Sequence, residues 1–193
     1  METKSIFSAH HLSRLGILIA LMLVLSYTPL GYLPLGPISI TTMHLPVVLG
    51  AILGGVPYGL VLGFVFGLSS MLRGIQGLSG PLSFVFMNPL VSVLPRVCFG
   101  LIVGFLADRL RNKNIILSAT VPALVGTVAH TAMVMTMLYL LFGEQVASNQ
   151  SLSASAVVAL VWATVIGNGI PEAILAAVVA TPVARLLRTR IKF

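Results

Sequence analysis

The sequence predicts an all-α integral membrane protein, one domain over residues 1–193, with six transmembrane helices and both termini in the cytoplasm. Three observations carry this reading. Of 193 residues, 58% are hydrophobic and only 8% charged, with a mean hydropathy of +1.07. A soluble domain of that length has no core large enough for so much apolar surface. The apolar residues also come in long charge-free runs, as spanning helices require. Finally, nine of the eleven Lys and Arg residues sit beside the ends of those runs: Lys4, Arg14, Arg109, Arg111, Lys113, Arg185, Arg188, Arg190 and Lys192. They read as cytoplasmic anchors and account for the net charge of +7 without a nucleic-acid partner. Arg73 and Arg96 stand apart, and the single cysteine, Cys98, allows no intrachain disulfide.

The apolar segments run at about 13–30, 45–72, 90–107, 115–142 and 156–187. The first has Arg14 before a Leu15–Leu25 stretch, in the manner of a signal peptide. The following "SYTPLGY" is a poor cleavage site, so the segment is expected to stay as the first helix. The second holds "GGVPYG" at 54–59. If all the basic clusters are cytoplasmic, this segment must cross twice or not at all. A turn at Gly54–Gly55 with Pro57 opening a new helix gives two crossings. The last segment carries "GNGIP" at 167–171. Splitting it there would put the basic C-terminus outside, so one kinked helix is expected.

This topology leaves three outer connections, 30–44, 73–89 and 143–155, rich in Gly, Pro, Ser, Thr and Asn. The first, with Pro34 and Pro37, returns to the membrane at His44. The three are expected either to cover a binding site as stiff lids or to be plain connectors.

Small residues recur every four positions at Gly55, Gly59, Gly63 and Gly67, at Ala176, Ala180 and Ala184, and at Gly16 and Ala20. Such faces let helix backbones approach closely in lipid. Packing inside the chain suits the glycine stripe; for Gly16 and Ala20, internal packing and partner docking are equally open.

Polar groups inside a span point to function. At about 1.5 Å per residue, Arg96 lies roughly 10 Å below the outer end of its helix, and His130 and Asn168 roughly 18 Å below theirs. Glu172 lies about 24 Å along its helix, toward the inner half. Asn88, Thr41, Thr42 and His44 fall near the outer rim. Arg96, His130, Asn168 and the loop hydroxyls are thus expected to converge in the outer half. Arg96 suits a carboxylate ligand, held by two parallel hydrogen bonds, an internal pair with Glu172, or snorkelling to the surface. His130 fits a ligand or an interhelical hydrogen bond, and Asn168 a ligand or the backbone freed near Pro171. Trp162, Phe84 and Phe86 suit either a pocket wall or the aromatic belt.

Several chemistries are excluded. "GLSG" at 77–80 resembles the GxSG of rhomboid intramembrane proteases, but the last apolar segment has no histidine to activate a serine. Lys4, Lys113 and Lys192 all lack a Walker A glycine pattern. His10 and His11 sit in a stretch expected to be mobile, and no metal-ligand cluster is visible. No helix carries the charged stripe of an open ion channel.

"PLGPISITTMHLPVVLGAILGGVPYGLVLGFVFGLSS", residues 34–70, resembles the substrate-binding (S) components of energy-coupling factor (ECF) vitamin transporters, and most closely the pantothenate-specific members. "FVFMNPLVS…PR" at 84–96 fits as well. The resemblance implies an S-component fold in the bacterial plasma membrane that captures a vitamin from outside and needs no cofactor. It implies three partners, a transmembrane coupling subunit and two ATPase subunits, whose ATP turnover topples the S component. Gly16 and Ala20 match the family's docking step on the first helix, with glycine where alanine is usual. A pantothenate ligand offers a carboxylate for Arg96. Its amide and hydroxyls suit Asn168, His130, Asn88 and the Thr41–Thr42 pair. The alternatives are an S component for folate or another small anionic metabolite, and a small autonomous carrier.

Overall fold

The computed structural model describes residues 9–35 and 38–190, with side chains described outside 32–40 and 187–190. Lys4, Pro37 and Lys192, and the side chains of Pro34, Arg188 and Arg190, lie outside that set. Helix α1, Ala9–Tyr27, is followed by a short antiparallel ribbon, β1 Tyr32–Leu35 and β2 Ile38–Thr41. The helices α2 Leu45–Ile75, α3 Ser83–Phe86, α4 Pro89–Ser92, α5 Leu94–Arg109, α6 Ile115–Asn149, α7 Ala154–Thr164 and α8 Ile170–Arg190 complete the order. Among the described residues, five helical stretches are long and apolar enough to cross a membrane.

The second of these is not straight. Gly55 has φ +69° and ψ −156°, a conformation open to glycine, and the chain folds back on itself there. A side chain at Gly50 would run into Leu62, a residue that a continuous helix would hold roughly 18 Å away. Asp108 secures the turn: its Oδ2 accepts from Val56 N–H at 3.2 Å, and a Cβ on Gly55 would strike the same carboxylate. Pro57 sits just inside the new helical arm, where its missing N–H costs nothing.

The returning arm of α2, over 56–75, packs face to face with α5 through its glycines. A Cβ at Gly59 would collide with the carbonyl of Gly100, and one at Gly63 with the carbonyl of Arg96. At Gly67 it would come within 2.7 Å of Val93 Cα. The glycine stripe is therefore used within the chain, bringing the backbone of the Arg96 helix against α2. The alanine stripe is internal too, since Ala176, Ala180 and Ala184 are fully buried beside Ala119 and Ala123 of α6.

Three elements depart from the expectation. The connection over 30–44 is not an irregular loop, because residues 32–35 and 38–41 pair from Tyr32↔Thr41 to Leu35↔Ile38. β-Branched residues favour the ribbon, and Pro34 is tolerated because both strands are edges. The connection over 143–155 is mostly helix, since α6 continues to Asn149. Residues 143–149 contain no proline, so the helix can carry its polar end beyond the apolar span. The last apolar segment is one interrupted helix as expected, its irregularity before Pro171 being a π turn, Val165–Gly169. His10 and His11 lie in the first turn of α1, with His11 Nδ1 2.9 Å from the Tyr58 hydroxyl. Arg73, unassigned by sequence, donates to the carbonyls of Ser26 and Leu78 and so ties the end of α1 to the end of α2.

Candidate functional site

A cavity of about 320 Å³ lies among β2, α2, α5, α6 and the α7–α8 helix. Thr41, Arg96, His130, Asn168 and Glu172 supply its main polar groups, and Phe66, Phe86, Val134 and Leu138 much of its apolar wall.

Arg96 is buried and enters from the first turn of α5. Its Nη1 donates to the carbonyl of Val91 at 2.6 Å. The reason is local: the residue four positions after Val91 is Pro95, which has no N–H to offer that carbonyl. The proline thus frees an acceptor that steers the arginine next to it. The guanidinium carbon lies 5.6 Å from the Phe66 ring centre and 5.4 Å from that of Phe86. Two ring faces near a desolvated cation favour it without neutralising its charge.

His130, from the middle of α6, is buried with its ring centre 5.1 Å from Phe99 and 5.9 Å from Phe66. Its Nε2 has no hydrogen-bond partner among the described residues. A buried polar atom without a partner is costly, so the site holds a hydrogen-bonding position in reserve. Asn168 reaches the cavity from the π turn. Glu172 is buried on α8, and its Oε1 accepts from both the amide and the hydroxyl of Thr41, each at 2.9 Å.

The other expected residues are placed elsewhere. Thr42 donates to the carbonyl of Leu30 at 2.8 Å, pinning the base of the ribbon. His44 is buried at the start of α2 and does not line the cavity. Asn88 caps α4 by accepting from Leu90 N–H at 2.9 Å. Phe84 packs edge-on against Phe142, with ring centres 6.2 Å apart. Trp162 is 61% exposed, on an outward groove shared with Tyr139. Gly16 and Ala20 lie exposed on α1, with nothing within 4 Å of where a Gly16 side chain would start.

The sequence left open whether Glu172 belongs to the site, where it lines the cavity, and did not single out Phe66, Ser70, Thr131 and Thr164, which line it too. The four-residue spacing of Leu160, Thr164, Asn168 and Glu172 was the available signal.

Comparison with known proteins settles the class. A family model described as "ECF transporter, substrate-specific component" matches residues 10–184. The chain belongs to this family. The S component is similar to the pantothenic acid transporter PanT of Lactococcus lactis subsp. cremoris, at 28% identity over 189 residues, covering 90% of this chain and 91% of that one. It is also similar to the pantothenate transporter PanT of Leuconostoc mesenteroides subsp. mesenteroides, at 34% identity over 90 residues, 44% of each chain. It is therefore a multi-pass membrane transport component rather than an enzyme. Its cavity presents a cation from one side and hydrogen-bond acceptors from another. Such a site suits a small polar ligand with an acidic group and several donors.

Proposed function

We propose that this S component captures pantothenate from outside the bacterial plasma membrane and delivers it inward with a coupling subunit and two ATPase subunits. The observation that carries the ligand assignment is Arg96, a buried cation lining a cavity whose carboxylate, Glu172, is engaged by Thr41. Pantothenate has a carboxylate for that cation, and hydroxyl and amide groups for Glu172, Asn168 and His130. The two relatives with pantothenate in their names support the same ligand. The cavity volume, about 320 Å³, is near the lower end for small-molecule sites and suits pantothenate better than folate.

The fold-back at Gly55 supports six passes of the chain, because it turns one long apolar segment into two antiparallel arms, the shorter of which is completed toward the outer side by the ribbon. With the basic clusters inside, both termini are cytoplasmic and the ribbon caps the outer side as a lid. The exposed Gly16–Ala20 face of α1 is the docking surface for the coupling subunit, and toppling of the bundle carries the site across. ATP hydrolysis belongs to the partners.

Calorimetric titration of pantothenate into the detergent-purified chain, without partners or ATP, tests the reading. One-to-one, tight binding is expected. If well-folded protein ignores pantothenate but binds folate or another acidic metabolite, the ligand assignment falls. Transport by the chain alone in liposomes would make it an autonomous carrier instead.

A further inference from the structure

The α7–α8 helix lines the cavity with Leu160, Thr164, Asn168 and Glu172, each four residues after the last. In an uninterrupted α-helix, four residues overshoot a full turn by about 40°, so these side chains would drift by about 120° from first to last. Only part of such a row can face one small cavity. Here the drift is interrupted by the π turn at Val165–Gly169, between the second member of the row and the fourth. A turn closed by i→i+5 bonds holds more residues, so four steps within it no longer overshoot.

The sequence gives a cause for the π turn. Pro171 has no N–H for the carbonyl four residues back, at Gly167, and its ring crowds that carbonyl. The helix cannot pass this point in plain α register. Gly169 adds a constraint from outside: a Cβ there would come within 3.0 Å of Thr131 Cγ2, on the cavity side of α6. The widened turn is thus held between a proline below and a close helix contact beside it.

We propose that Pro171 is a positioning residue for ligand binding: by enforcing the π turn it keeps Asn168 and Glu172 on the same cavity face as Thr164. Pro171 does not itself line the cavity. Restoring its N–H returns the helix to α register and rotates Asn168 and Glu172 relative to Thr164.

Two measurements on the full chain test this, the first resting on the pantothenate reading and the second independent of it. In calorimetry, Pro171→Ala raises the Kd for pantothenate about tenfold, as for one lost hydrogen bond. The ligand-free melting temperature stays level or rises, because alanine suits a helix better than proline. In an Asn168→Ala background the same change has a clearly smaller effect, since only Glu172 is left to be displaced. Unchanged affinity, or an equal loss in both backgrounds, overturns the proposal. The second measurement uses Asn168→Cys in a Cys98→Ser chain and a small water-soluble thiol reagent. The introduced thiol is modified through the cavity, and adding Pro171→Ala slows modification at least about fivefold. Equal rates, or a parent thiol that does not react, overturn the proposal even if the chain binds no pantothenate at all. Pro171→Ser, which also restores the N–H, replaces the alanine variant if that one fails to accumulate.

Discussion

One carboxylate oxygen of Glu172 receives both the amide and the hydroxyl of Thr41, residues 131 positions apart. The contact joins the last residue of the ribbon to the middle of the α7–α8 helix, at the wall of the cavity. It makes the ribbon and that helix one mechanical unit. Glu172→Ala is expected to release the ribbon, while Glu172→Gln, whose carbonyl still accepts, holds much of it. Thr41→Val removes one of the two donors and costs about 1 kcal/mol. Protease cleavage within 30–41, followed over time in detergent, should rank the variants Ala, then Val, then Gln, then wild type. A Glu172→Ala chain as resistant as wild type would show that the contact does not hold the ribbon.

Arg96 is expected to dominate ligand affinity. A hydrogen bond to a charged partner is worth about 1.5–3 kcal/mol, so Arg96→Ala should raise Kd by roughly 10- to 150-fold. Arg96→Lys keeps the charge but loses the planar fork and should recover only part of the loss. The alcohol analogue of pantothenate, which lacks the carboxylate, gives the check from the ligand side. It should bind wild type weakly and lose little more on Arg96→Ala. Equal losses for acid and alcohol would mean that Arg96 does not hold the carboxylate.

Gly59 and Gly100 oppose each other so closely that a methyl group on either meets the other's backbone. Gly59→Ala should therefore separate α2 from α5, at a cost of about 1–3 kcal/mol from overpacking. Because α5 carries Arg96, affinity should fall together with the melting temperature. A variant that melts normally yet binds poorly would instead point to a direct role for this position.

Gly16 gives the opposite pattern. With open space around it, Gly16→Leu should leave the melting temperature and pantothenate affinity within error of wild type. Uptake in cells carrying the partner subunits should collapse, because a large side chain blocks close helix docking. Gly16→Ala should transport nearly normally. Full uptake by the leucine variant would place the docking face elsewhere.

The sequence showed its topology wherever a single residue type has only one use. Gly55 with Pro57 marks a reversal, because few other residues tolerate that backbone and a proline so close behind it suits a helix start. Arg96 was legible as a costly ion at depth, although the part played by Pro95 in aiming it emerges only when the carbonyl of Val91 is followed to its donor. The ribbon was not legible: its pairing depends on two strands meeting across a short connection, which periodicity in so short a run cannot distinguish from an irregular loop. Glu172 stayed open for a geometric reason, since depth counted along one helix takes no account of where the neighbouring chain comes to meet it. Trp162 and Phe84 show the limit for aromatic residues, which serve a wall, a belt and a packing cluster equally well.

The reversal at Gly55 has a further consequence for the shape of the molecule. The arm over 56–75 is about 30 Å long, but the arm over 45–54 is only about 15 Å, half of a bilayer's apolar depth. A bundle with one stave cut to half its height has a notch above the stump. The inner end of the ribbon meets the cavity there, where Thr41 reaches Glu172 of the α7–α8 helix. Lengthening the stump by two helical turns would fill the notch with side chains. The transporter component would then have a sixth full stave and no room for a ligand.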